Sequence, residues 1–171
     1  MKRLLFILLA VLLPCFSSAA QDDVLSRLRE ANFPSSLTAD FIMTRHSTML
    51  AEDLVSKGRV CFAQPDCLRW EVVSPSPKVT VFNADSPRRF RLPSERDFRV
   101  STLEGKELSI ILEPIRGDLK KLLARIVVKV DPATYIVRSV LLSTVDEDST
   151  LIEFSNIRKD VDFPADCFVK Q

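Results

Sequence analysis

The chain has 171 residues, with 24 basic against 23 acidic side chains and three glycines, Gly58, Gly105 and Gly117. A near-neutral charge gives nucleic acid or a strongly anionic surface no electrostatic footing. An apolar content of 46% argues against low-complexity disorder, and glycines so scattered exclude a phosphate-cradling loop.

Lys2 and Arg3 precede the apolar run Leu4 to Leu13, and Ser18-Ala19-Ala20 follows. Positive start, short apolar middle and small residues predict an export signal, cleaved to leave Gln21 first. Ten apolar residues fall short of the roughly 20 that a spanning helix needs. Cys15 invites a lipid anchor, but Pro14 stands where a lipidation signal carries a small residue, so simple cleavage is preferred. Residues 21–171 are expected to form one soluble domain whose charge, without Lys2 and Arg3, is 22 basic against 23 acidic.

Asp22 and Asp23 can cap a helix over 23–33, whose stripe Val24, Leu25, Leu28 and Ala31 ends at Pro34. The period then becomes two: Leu37, Ala39, Phe41 and Met43 alternate with polar residues as a half-buried strand. Val55 to Ala63 and Leu68 to Val73 flank Gln64-Pro65-Asp66 and read as a hairpin, followed by a strand over Lys78 to Phe82. Residues 86–105, dense in charge and broken by Pro87 and Pro93, predict one or two short edge strands and no helix. Leu108, Ile110 and Leu112 alternate again. Asp118 can start a helical turn over 117–124 carrying Leu119, Leu122 and Leu123. Strands follow at Ile126 to Val130, Tyr135 to Val145 and Thr150 to Phe154, with a last short one from Ile157. Many short strands joined by tight turns and a few short helices predict a mainly β fold, a curled antiparallel sheet.

Strict alternation puts Val60, Phe62, Leu68, Trp70 and Val72 on one face of the hairpin, and Arg59, Cys61, Cys67 and Arg69 on the other. A turn centred on Gln64 sets Gly58 opposite Trp70 and Cys61 opposite Cys67. In an oxidising compartment this predicts a Cys61–Cys67 disulfide with Cys167 free. His46 is the only histidine, and no spacing assembles a nucleophile, base and carboxylate around it. Cys61-x5-Cys67 with this one histidine lacks the four soft ligands of a structural zinc site. An enzyme, a metal site and a cofactor are therefore not expected. The run Arg88, Arg89, Arg91, Arg96 and Arg99 is offset by Glu95 and Asp97 and reads as a solvated loop.

Several stretches together resemble the outer-membrane lipoprotein carrier protein (LolA) family. They are Ala39-Asp40-Phe41, Leu54-Val55-Ser56-Lys57-Gly58-Arg59, Gln64-Pro65-Asp66-Cys67-Leu68-Arg69-Trp70-Glu71 and Ser74-Pro75. The second half adds Leu108-x-Ile110-x-Leu112-Glu113-Pro114, Thr150-x-Ile152-x-Phe154 and Asp166-Cys167-Phe168, so the likeness runs in order over 23–168. It departs at Gln64, where many members carry a lid-latching arginine, at Met43, where they carry glutamine, and in a short middle segment.

The resemblance implies an unclosed β-barrel, apolar within, covered by a helical lid. It implies a monomeric periplasmic protein that takes lipoproteins from an inner-membrane ABC transporter, shields their acyl chains and passes them to an outer-membrane receptor. The expected cavity comprises Phe41, Val60, Phe62, Leu68, Trp70, Val72, Leu108, Ile110 and Leu112; the lid would carry Leu25, Leu28, Leu119, Leu122 and Leu123. The alternative is a non-transport module of the same fold that senses lipids or lipoproteins.

Overall fold

The computed structural model describes residues 27–28, 30–31, 34–65, 67–83, 97–103 and 107–169. The expected signal segment, Leu25 and most of the proline-rich stretch lie outside them. Nine strands form one sheet: β1 (Ser36–His46), β2 (Leu54–Ala63), β3 (Cys67–Ser74), β4 (Lys78–Phe82), β5 (Phe98–Leu103), β6 (Leu108–Pro114), β7 (Leu123–Val130), β8 (Val137–Thr144) and β9 (Ser149–Lys159). A one-turn helix, α1 (Gly117–Lys120), precedes β7, and residues 27–28 and 30–31 are helical.

The order β4-β3-β2-β1-β9-β8-β7-β6-β5 is antiparallel throughout and does not close on itself. Two meanders, β1–β4 and β5–β9, therefore join at the central β1·β9 pairing, and the chain between β4 and β5 links the two outer edges. The curl has local causes. Thr38 pairs with Arg158 but Asp40 with Ser155, so β9 carries one extra residue, and Asn156 in that bulge has φ 51°. A bulge of this kind bends its strand and increases the twist. Further register shifts fall at Lys57/Gly58, Leu123/Arg125 and Lys129/Val130.

The unclosed antiparallel sheet agrees with the sequence reading; among the described residues a helical lid is not seen. The turn expected over 117–124 shrinks to α1. Leu122 is 46% exposed, and Leu123, at 1%, opens β7 as a core residue. Leu119 is only packed against the core's margin. Leu28 is buried within the main apolar cluster.

Candidate functional site

The candidate site is the inner face of β1–β3. Because strand side chains alternate, Ala39 and Phe41 of β1, Val60 and Phe62 of β2, and Leu68 and Trp70 of β3 all point to one side. They join one buried cluster with Leu108, Ile110 and Leu112 of β6; Val72 packs partly buried against it. Eight of the nine expected cavity residues are buried, so this face is closed.

Its centre is aromatic. Phe41 and Trp70 stack with ring centroids 4.1 Å apart and planes at 24°. The stack depends on Gly58, the register partner of both Phe41 and Val72. A Cβ there would lie 2.0 Å from the Glu71 carbonyl oxygen and 2.6 Å from Cζ of Phe41. Glycine thus leaves the space into which the phenyl ring leans. Trp70 is 3% exposed, yet its Nε1–H has no hydrogen-bond partner among the described residues. A buried donor left unmade costs about 1–3 kcal/mol. Leu37, Met43, Val72, Phe82 and Phe154 pack against the same cluster and are only partly buried.

The hairpin register corrects one expectation. Ala63 pairs with Cys67, Cys61 with Arg69 and Val60 with Trp70, so the turn centres on Pro65, one residue beyond the expected centre. The slip moves each pairing by two residues, which preserves the faces but separates the expected partners. Cys61 and Cys67 are now diagonal neighbours, at roughly 7–8 Å, beyond disulfide reach. Among the described residues no disulfide joins Cys61, Cys67 or Cys167.

The outer face of the same strands is also partly covered. Asp160 N–H donates to the Ser36 carbonyl (2.9 Å) and Ser36 Oγ to the Val161 carbonyl (2.8 Å). Arg69 Nη1 donates to the Cys167 carbonyl (3.2 Å) and Asn83 Nδ2 to that of Phe168 (3.0 Å). Residues 160–168 therefore strap β1 to the end of β4. Beside the strap, Asp40 accepts from Asn156 (2.9 Å) and Arg59 (3.1 Å), which hold its carboxyl below the usual carboxylate range, Asn156 foremost. A cleft of about 400 Å³ opens here between Thr38, Asp40, Arg59 and Asn156. Neither this cleft nor a second one near Pro114 and Leu123 is lined by the expected cavity residues.

His46 ends β1, exposed, with Nδ1 2.8 Å from Asp53 Oδ1. Among the described residues no group of three or more His, Cys, Asp or Glu side chains is placed to hold a metal, and no helix is long and apolar enough to cross a membrane.

No family model matches the chain, and no curated protein is similar to it in sequence. Solved structures do match. An uncharacterized conserved protein of Thermus thermophilus shares the fold at TM-score 0.57 and 10% identity, over 90% of this chain and 94% of that one. MucB matches at TM-score 0.55 and 13% identity over 92% of this chain; the match spans 64% of MucB, under two thirds of its length. A LolA superfamily protein of Nitrosomonas europaea matches at TM-score 0.47 and 10% identity, over 86% of this chain and 96% of that one. At these identities the likeness is one of fold.

Proposed function

We propose that the protein is an exported, non-enzymatic carrier that takes lipoprotein acyl chains onto the inner face of β1–β3 and ferries them across the periplasm. The observation that carries this reading is the Trp70 indole, buried in apolar surroundings with its N–H unpartnered among the described residues. A finished core pairs or excludes such a donor. An acyl ester brings both a chain for the apolar face and a carbonyl to accept the proton. Each buried CH₂ adds about 0.8 kcal/mol, so a long chain binds usefully with one such polar contact. The closed packing suits release, because the empty face is not left to water. Entry then requires the helical residues around Leu28 to lift from the sheet. The LolA resemblance supplies the expected donor and acceptor, an inner-membrane ABC transporter and an outer-membrane receptor.

A second reading, a lipid- or lipoprotein-sensing module without transport, draws on the MucB likeness, since MucB has been solved in complex with MucA from Pseudomonas aeruginosa. One experiment separates the two. A fluorescent fatty acid is titrated into the purified protein and displaced with a diacylated lipopeptide, its unacylated twin or phospholipid. Carriage predicts binding that only the acylated lipopeptide displaces efficiently; displacement by phospholipid alone favours sensing. If wild type never binds the probe and Phe62→Ser and Leu68→Ser both unfold, the face is solid core and the proposal fails.

A further inference from the structure

The outer face of β1–β4 carries a row of residues whose burial the sheet itself does not explain. Register runs Thr38↔Cys61↔Arg69↔Val81 straight across the four strands. Alternation turns these side chains away from the main apolar cluster, toward the side where solvent is expected. Yet Thr38, Cys61 and Val81 are 4%, 7% and 7% exposed, and none of them belongs to that cluster. The 160–168 strap crosses this side, held at one end by Ser36 and at the other by Arg69 and Asn83. The edge contact of Phe163 and Phe168, centroids 5.3 Å apart, stiffens it between these ends.

Arg69 fixes where the strap crosses. It stands beside Cys61 in the register, pairs with Glu71 and donates to the Cys167 main chain, which holds residue 167 on this face of β3. Burial, and after it Cys61, push the Cys167 thiol above its ordinary pKa. Cys67, by contrast, belongs to the Ala63 pair, two residues away.

We propose that Cys61 and Cys167 form a disulfide that fastens the C-terminal strap across the outer face of β1–β4, leaving Cys67 reduced. The chemistry is thiol–disulfide exchange with a disulfide oxidant, either a protein oxidase or oxidised glutathione. The partly exposed Cys167, as thiolate, attacks the oxidant's S–S bond and releases one thiol. Cys61, after losing its proton, then attacks the mixed disulfide and releases the second. Two protein thiols become one S–S bond, and the oxidant takes up the two electrons and two protons. In the cell this requires an oxidising compartment. The inference is independent of lipid binding.

Full-length protein incubated with oxidised glutathione, alkylated and digested without reduction gives the test. The expected product is a peptide pair joined through Cys61 and Cys167, with Cys67 alkylated. Wild type and Cys67→Ala should each gain roughly 5–15 °C in Tm on oxidation, as expected for a crosslink closing so long a loop. Cys167→Ser, altered at a partly exposed position, should fold but gain nothing, and Cys61→Ala should behave alike. A Cys61–Cys67 or Cys67–Cys167 linkage, or alkylation of all three cysteines after oxidation, overturns the proposal. Fatty-acid binding by a protein that stays reduced would leave the carrier reading standing and sink this one alone.

Discussion

The two halves of the sheet solve the same packing problem with different chemistry. Of the eight large side chains buried to below 2% exposure, seven belong to β7–β9 and all are aliphatic: Leu123, Ile126, Val128, Val130, Val140, Leu142 and Ile152. The eighth is Phe41, in the β1–β4 half, which leans over a glycine onto a tryptophan whose N–H has no partner among the described residues. Branched aliphatics interdigitate at crystal-like density and carry no polar atoms, so the β7–β9 half behaves as core. The aromatic half keeps a polar atom inside, while both halves carry a partly buried margin, Leu37, Met43, Val72 and Phe82 in one and Leu119, Tyr135, Phe154 and Ile157 in the other. On the carrier role proposed above, this aromatic half is the one that would open for a ligand.

The largest expected effect tests the aliphatic half. Leu142→Ala should cost about 2–5 kcal/mol, because β7–β9 neighbours on every side prevent the site from collapsing. Urea unfolding followed by far-ultraviolet circular dichroism reads it directly. A loss under about 1 kcal/mol would mean that this half is loose too, and the contrast between halves would disappear.

Gly58→Ala comes next. The new methyl would meet the Glu71 backbone at 2.0 Å and the Phe41 ring at 2.6 Å, so β2 and β3 must part or the stack must tilt. Overpacking of this kind costs about 1–3 kcal/mol. Red-shifted or broadened tryptophan emission should accompany the loss. A fully stable variant with unchanged fluorescence would show that the stack does not need its glycine.

Trp70→Phe sharpens the comparison where the halves differ most. The smaller ring loses contacts but also removes the unmade donor, so stability should change by no more than about 1 kcal/mol. Fatty-acid affinity should fall about fivefold, the equivalent of one hydrogen bond worth about 1 kcal/mol. A stability loss of about 3 kcal/mol or more with binding unaltered would place Trp70 among ordinary core residues.

Much of this contrast is written in the chain as alternation. The strands at Leu37 to Met43, Lys78 to Phe82 and Leu108 to Leu112 are legible because period two puts apolar residues on one side. The hairpin's faces survived a misplaced turn centre because the error shifted pairings by an even number of residues. Cross-strand partners did not survive it, and the expected Cys61–Cys67 pair was lost with them. Leu123 read as helical because the register shift between Leu123 and Arg125 breaks the alternation that would have joined it to Ile126 and Val128. The strap left no periodic mark at all. It is held through backbone carbonyls that accept from Ser36, Arg69 and Asn83, and main-chain acceptors look alike in any sequence. The orphaned indole was equally hidden, since a tryptophan's identity says nothing about what faces its nitrogen.

The smallest effect is the acid response of the β7–β8 turn, where the aliphatic half depends on an exposed charge. Asp131 Oδ1 accepts from the amides of Ala133 and Thr134, each at 3.0 Å, while Oδ2 accepts from Arg138 at 2.8 Å. These contacts, the Arg138 hydrogen bond first, lower its pKa from 3.8 to about 2. A carboxyl that is more acidic folded than unfolded binds fewer protons in the native state, so stability rises with pH across the interval between the two values. The Asp131 contribution is therefore fully present above about pH 4 and disappears as pH falls toward 2. The turn also holds Tyr135 at φ 56°, an uncommon backbone for a bulky residue, so releasing the carboxylate's grip should loosen this hairpin before its strands. Amide exchange at Ala133 and Thr134, compared with amides inside β7 and β8 and corrected for intrinsic rates, should accelerate selectively between pH 4 and 2.5. Asp131→Asn should flatten that dependence and leave the turn slightly looser at pH 7. Acceleration spread evenly over β7 and β8 would instead mean that acid opens the aliphatic half as a whole, and that its rigidity rests on this carboxylate as much as on its packing.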